Sequence, residues 1–277
     1  MLYTPPMINI PALVAIGLAL TPALQPKDAP KHEQPAHQPS HQGEPAGKTA
    51  NPAATPEERP DDYCKQRHER FNARAKQGHE KGDIDLIFIG DSITEQWEGP
   101  GKQVWEKYYG KRHAVNCGTG GDRTQHVIWR LQHGNVDGLD NPAPADAKPP
   151  HLAVVMIGTN NMGPSDTPEQ ITEGVQRVVS TLQEKLPHTQ VLLLAIFPRG
   201  EKPEDPLRQK VARTNELIKA VHWPDSVHYL DIGSNFVQKD GTISNKIMPD
   251  YLHLTPEGYE IWAKAIEPKV HELMGEK

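Results

Sequence analysis

The 277-residue sequence has only two cysteines, Cys64 and Cys117, which excludes a disulfide scaffold. One bridge between them and two buried thiols both fit that count, and Cys117 ends a strand-like run that favours a small buried hydrophobe. Charge of one sign is not concentrated anywhere. Thirty Lys and Arg against 36 Asp and Glu leave a formal net charge of −6 from well-mixed residues, so neither a nucleic-acid groove nor a patch for anionic membranes is expected. Long apolar runs are scarce too. The stretch from Ile8 to Leu24 is interrupted by proline and too short to span a bilayer comfortably, so no integral membrane domain is expected.

The most informative absence lies just beyond it. From Gln25 to Asp62 there is no Val, Ile, Leu, Met, Phe, Trp or Tyr, and 12 of the 27 prolines precede residue 61. Such a segment cannot bury enough apolar surface to offset its ordering entropy, and it reads as a disordered tether. Its His32, His37 and His41 show no recurring ligand spacing, which favours a solvated linker over a metal site. The preceding apolar run resembles the core of a signal peptide, with Thr21-Pro22-Ala23 offering small residues for cleavage. No Lys or Arg precedes it, so an uncleaved N-terminal anchor is the alternative; either way export to the periplasm or cell exterior is expected. The expected organisation is a signal peptide over 1–24, a tether over 25–62 and one folded domain over 63–277, long enough for a sizeable core.

Within that domain, apolar runs alternate with helical patterns. Residues 85–89, 152–157 and 190–196 are apolar almost throughout, and 113–116 and 227–231 are weaker strand candidates. Over 167–186, Ile171, Val175, Val178 and Leu182 recur at helical spacing, and 207–222 is a second helix. Thr167-Pro168-Glu169 and Thr255-Pro256-Glu257 each read as an N-cap, a proline at the first turn and an early acid. Strands apolar at every position, separated by amphipathic helices, predict a three-layer α/β/α sandwich around a parallel sheet.

In such a sheet, active residues gather at the carboxyl ends of the strands. Asp91-Ser92, Gly118-Thr119-Gly120-Gly121-Asp122 and Gly158-Thr159-Asn160-Asn161 all follow strands, and Asp250-Tyr251-Leu252-His253 precedes the final helix. Each has a plainer reading. Ser92 can simply cap the next helix, the glycines can serve tight turning, and the asparagines can be turn residues. The glycines do not match G-x-G-x-x-G, because Arg123 takes the last position, and no Lys-Ser/Thr completes a phosphate loop. Asp250 and His253 lack a third metal ligand at diagnostic spacing. Their convergence on one rim argues for function.

The chemistry that needs this set is acyl transfer. A serine hydroxyl requires an adjacent base, and a carboxylate must hold that histidine in the right tautomer. Ser92, His253 and Asp250 supply those three roles. The backbone N–H groups of Ser92 and Gly121 and the side-chain amide of Asn160 can then meet the developing oxyanion. No cofactor or metal is expected.

The blocks GDS, GGD, GTNN and DxxH, in that order, resemble the SGNH (GDSL-type) hydrolase superfamily. NCGTGGDRTQHVIWRL, VVMIGTNNMG, FPRGEKPEDPLRQK, FVQKDGTIS and DYLHLT are similar to segments of the catalytic subunits of intracellular platelet-activating factor acetylhydrolase. The resemblance spans about residues 83–273. It implies a flavodoxin-like fold, the same triad and oxyanion residues, and an acetyl-sized acyl pocket limited by the residues after the serine and before the histidine, here Ile93 and Leu252. It also allows a homodimer. Those subunits are intracellular and lack an apolar leader, so the lipid-signalling role is not inherited. Exported relatives in the wider family often deacetylate carbohydrates, and a glycan O-acetyl ester is the expected substrate. A phospholipid acetyl ester is the alternative, and a noncatalytic binding module on the same fold is the reading from another class. Trp97 can stack on a sugar or pack locally. Arg199 and Arg208 can bind an anion or serve surface roles.

Overall fold

The computed structural model describes residues 50–163 and 165–276. The three apolar runs become buried strands, and the two weaker candidates become partly buried edge strands. β1 (Leu86–Gly90), β2 (Ala114–Gly118), β3 (Leu152–Met156), β4 (Gln190–Leu194) and β5 (Val227–Leu230) pair in parallel in the order β2-β1-β3-β4-β5. The order reverses between β1 and β3, the switch point where doubly wound sheets bind ligands. Strand residues alternate between two cores. Ile87, Ile89, Ala153, Val155, Val191 and Leu193 face one cluster; Leu86, Phe88, Leu152, Val154, Leu192 and Leu194 face the other.

Among the described residues, seven helices supply the outer layers. α1 (Asp62–Lys81), α4 (Thr124–Gln132), α5 (Pro168–Lys185) and α6 (Pro206–Ala220) contribute to the first cluster, for example through Phe71, Ile128, Val178 and Ile218. α7 (Pro256–Leu273) closes the second with Tyr259, Trp262, Ile266 and Val270, beside the short helices α2 (Ser92–Glu95) and α3 (Lys102–Tyr108). Thr167 caps α5 in a capping box with Gln170, and Thr255 accepts from the Gly258 N–H to cap α7. Helix α2 packs on β2 through a close approach. A Cβ on Gly118 would lie 2.2 Å from the Glu95 backbone nitrogen, so only glycine lets α2 cross the end of β2. No described helix is long and apolar enough to cross a membrane.

Two expectations need correction. The strand expected over 190–196 ends at Leu194: the Ala195 N–H still donates to Leu230 O at 3.0 Å, and Asn215 then takes over the backbone groups of Ile196. Its Oδ1 accepts from the Ile196 N–H at 2.9 Å and its Nδ2 donates to the Ile196 carbonyl at 2.8 Å. Residues 50–61, expected as part of the tether, also depart from that reading, since they pack on the domain. Ala53 is fully buried and its carbonyl accepts from Thr124 Oγ1, while Asn51 Nδ2 donates to Gln170 O at 2.9 Å. The segment docks through a small side chain and backbone groups, a mode without an apolar signature. The leader over 1–24 and His32, His37 and His41 lie outside the described residues.

Trp97 packs locally. It is 1 % exposed and lies 4.5–6.1 Å, centroid to centroid, from Phe88, Tyr109, Tyr259, Trp262 and Trp105. Cys64 and Cys117 are free and buried. Burial pushes both thiols up, to about 12 and about 11, so neither is a thiolate at neutral pH.

Candidate active site

Three loops at the carboxyl edge of the sheet meet at Ser92. Ser92 opens α2 immediately beyond β1, and its Oγ lies 2.9 Å from His253 Nε2. His253 Nδ1 lies 2.7 Å from Asp250 Oδ2. Asp250 Oδ1 meanwhile accepts the backbone N–H groups of Leu252 and His253 at 3.1 and 2.8 Å. This local turn forces Tyr251 into the left-handed region at φ 56°, which costs a non-glycine residue on the order of 1 kcal/mol. The loop is held from outside by Gly200, whose N–H donates to Tyr251 O at 2.9 Å. Burial alone would raise the Asp250 carboxyl, but the bonds from His253 and from the two backbone N–H groups outweigh it and hold it below the usual range. A charged acceptor thus fixes Nδ1 as the protonated nitrogen and leaves Nε2 free to take the serine proton.

Ser92 does not cap its helix. Asp91 does so, accepting the Ile93 N–H at 3.0 Å through Oδ1. The backbone N–H groups of Ser92 and Gly121 donate to no acceptor among the described residues. Asn160 spends one amide hydrogen on Asp122 O at 2.8 Å and keeps its second. Gly121 adopts φ 78°, open to glycine without strain. A Cβ there would meet the Arg59 guanidinium at 3.1 Å.

That guanidinium is one of several site residues without a signal in the sequence. Arg59 donates to Gly120 O and lies 3.4 Å from Asp122 Oδ1, bracketing Gly121 on both sides. Glu95 accepts the Gly120 N–H at 2.5 Å and the Tyr63 hydroxyl. Asp122 is buried against Arg130 at 2.8 Å. The turn carrying the Gly121 N–H is therefore gripped by side chains from the chain's N-terminal segment, α1, α2 and α4. Behind it lies a cavity of about 210 Å³, lined by Arg59, Cys64, His68, Asp122, Trp129 and Arg130 but by no residue of the Ser92–His253–Asp250 chain. Arg59→Ala is expected to lower kcat about tenfold, the effect of ~1.4 kcal/mol from one charge-assisted hydrogen bond. KM should change little; steady-state kinetics with an aryl acetate check this.

Asp91 is fully buried and its Oδ2 has no partner among the described residues. Burial, with repulsion from Asp122, pushes its carboxyl up to about 7. An unfolded Asp titrates near ~3.9, so between those values the folded state binds the extra proton. Stability then falls as pH rises through that window, by at most ~1.4 kcal/mol per pH unit. Asp91→Asn stays neutral and keeps an oxygen for the Ile93 N–H. Its melting temperature should decline less than wild type between about pH 4 and about pH 7; parallel curves would show that Asp91 is ionised in the native protein.

Ile93 is 1 % exposed in the apolar cluster beneath the serine, and Leu252, half-buried, packs against the same cluster. Arg199 Nη1 donates to Thr159 O at 2.9 Å, next to Asn160. Arg208 clamps the neighbouring loop by donating to the carbonyls of Arg199, Gly200 and Gly241.

Comparison with known proteins identifies the family. Residues 88–261 match the GDSL-like Lipase/Acylhydrolase family. The platelet-activating factor acetylhydrolase IB subunit alpha1 of Bos taurus is 37% identical over 208 residues, covering 75% of this chain and 82% of that protein. The human alpha2 subunit is likewise 37% identical, over 77% and 84%. Among solved structures, a GDSL-like lipase from Bacteroides thetaiotaomicron has a TM-score of 0.58 at 17% identity, covering 74% of this chain and 97% of that one. A catalytic mutant of an acetylxylan esterase from Geobacillus stearothermophilus has a TM-score of 0.52 at 15% identity, over 69% and 94%. At these identities the two structures speak for the fold alone. The chain belongs to the GDSL-like lipase/acylhydrolase family and is a carboxylic ester hydrolase.

Proposed function

We propose that the enzyme hydrolyses short-chain, acetyl-sized esters through an acyl-enzyme intermediate, with the O-acetyl groups of a glycan as natural substrate. The observation that carries the reading is the continuous Ser92–His253–Asp250 hydrogen-bond chain beside three donors with hydrogens to spare. Ser92 Oγ attacks the ester carbonyl as its proton passes to His253 Nε2. The tetrahedral oxyanion is met by the N–H groups of Ser92 and Gly121 and by Asn160 Nδ2. His253 then returns the proton to the departing alcohol, leaving acetyl-Ser92. A water molecule, deprotonated by the same nitrogen, releases acetate.

Packing beside the serine supports the acyl size. Ile93 is locked in a close-packed cluster, and such interiors yield little to a longer chain. Leu252 leans on the same cluster, so a long acyl chain placed against these two residues would have to displace core. The glycan reading draws on the export expected from the leader-like run. A phospholipid acetyl ester is the second reading, favoured by the printed names of the 37% identical relatives.

With p-nitrophenyl acetate, a burst of p-nitrophenol stoichiometric with enzyme is expected. No burst and no turnover would leave a noncatalytic module instead. Acetate release from acetylated xylan, O-acetylated sialic acid and acetyl phospholipids, measured side by side, separates the two substrates. Turnover confined to the phospholipids would reject the glycan.

A further inference from the structure

Arg199, in the loop after β4, and Arg208, in the first turn of α6, have different hydrogen-bond economies. Arg208 commits Nε, Nη1 and Nη2 to three carbonyls at 2.8, 3.2 and 2.5 Å and is a structural clamp. Arg199 commits only Nη1, to the carbonyl and hydroxyl of Thr159 at 2.9 and 3.2 Å. A guanidinium carries five N–H donors, so Nε and Nη2 present three of them with no acceptor among the described residues. The side chain is half-buried, and burial lowers its pKa against the pull of Asp205, Asp91 and Asp250, none close enough to form an ion pair with it.

Each of those carboxylates is already engaged. Asp205 caps α6 through the N–H groups of Leu207 and Arg208, Asp91 caps α2, and Asp250 holds His253. A partly dehydrated guanidinium with most of its donors idle carries an energetic cost that a matching anion would relieve. Its position is equally specific. One side is anchored on the Thr159 carbonyl, one peptide bond from the oxyanion asparagine Asn160. The backbone at Gly200 holds Tyr251, two residues before His253. Arg199 thus stands between the loop that receives the oxyanion and the loop that carries the base.

We infer that Arg199 is the recognition site for an anionic group on the alcohol part of the substrate. The substrate class is then an acetyl ester whose alcohol bears a carboxylate or a phosphate close to the scissile bond, such as an acidic sugar or a glycerophosphate, rather than a neutral polysaccharide. The planar fork suits either oxyanion bidentately through Nε and Nη2. This rests on the proposed acetylesterase activity and names the substrate within it.

The test uses a matched pair of aryl acetates, 3-acetoxybenzoate and 3-acetoxy-N-methylbenzamide, which differ in charge but little in shape. The readout is the ratio of their kcat/KM values, compared between wild type, Arg199→Gln and Arg199→Lys. Intrinsic reactivity cancels in that comparison, and so does any general damage to the Thr159 loop. Arg199→Gln is expected to lower the anion-to-neutral ratio roughly tenfold or more, the scale of one charged hydrogen-bonding contact, with the effect largely in KM. Arg199→Lys should keep part of it, losing the bidentate geometry but not the charge. In the wild type the same ratio should fall as NaCl is raised, which reads the charge contact without any variant.

Hydrolysis of both probes with a ratio unchanged by Arg199→Gln and by salt would overturn the inference and leave the esterase reading standing. Failure to hydrolyse either would overturn both. Among natural-type substrates, preference for O-acetylated sialic acid assigns the anion as a carboxylate and preference for an acetyl glycerophospholipid assigns a phosphate. Higher kcat/KM on acetylated xylan than on both acidic substrates would overturn the inference.

Discussion

Ser92→Ala is expected to reduce kcat by roughly 10⁶, the scale for loss of a triad nucleophile. In the proposed mechanism the hydroxyl forms the acyl bond, and its Oγ is the nucleophile that His253 Nε2, 2.9 Å away, would activate. Some acceleration over water should remain, because the N–H groups of residues 92 and 121 and the Asn160 amide survive the substitution. The fold should survive too. Asp91, not Ser92, supplies the cap of α2, and alanine is a good residue at the first turn of a helix. A melting temperature within a few degrees of wild type, with the acetate burst abolished, is the expected pair of results. Near wild-type turnover would remove Ser92 from the mechanism.

Asp250→Asn is the second large effect, expected at roughly 10³–10⁴ in kcat. Asparagine keeps an oxygen for the N–H groups of Leu252 and His253, so the turn persists. It replaces the Oδ2 that faces His253 Nδ1 at 2.7 Å with an amide nitrogen. Two donors cannot share that bond, so the ring adopts the tautomer with the hydrogen on Nε2, where it can no longer accept the serine proton. The Asp250 side chain is 56% exposed, and water can offer the ring an alternative acceptor. That exposure puts the expectation at or below the ~10⁴ of a buried triad aspartate. A loss under tenfold, with the fold intact by circular dichroism, would show that Asp250 does not set the tautomer.

The parts of this site visible in the sequence share one property: each sits within a few residues of a strand end or helix start. Ser92 lies two residues beyond β1, Asn160 four beyond β3, and Asp250 and His253 just ahead of α7. The parallel sheet itself was equally visible, because β1 and β3 are apolar on every residue and buried on both faces. What pattern and spacing missed are the contacts across large sequence distances. Arg59 reaches Gly120 over 61 residues, and Tyr63 reaches Glu95 over 32. Nothing in a Pro-rich, apolar-poor stretch marks Arg59 as a support of the oxyanion turn. The docking of residues 50–61 escaped notice for the same reason, since Ala53 and Asn51 bind through size and hydrogen bonds rather than hydrophobic periodicity.

Local chemistry and strand periodicity therefore determined the layered α/β fold, and they pointed to Ser92, Asp250 and His253 and to the oxyanion candidates Gly121 and Asn160. They act through neighbours in sequence, so they can be read along the chain. Tertiary structure alone decided that Asp91 rather than Ser92 caps α2, that Trp97 belongs to the core, and that Arg59 grips the oxyanion turn. It also decided that Arg208 is a clamp while Arg199 keeps donors to spare. Two arginines nine residues apart look alike in a sequence. Which carbonyls come within hydrogen-bonding distance of each depends on how distant loops close over the end of the sheet.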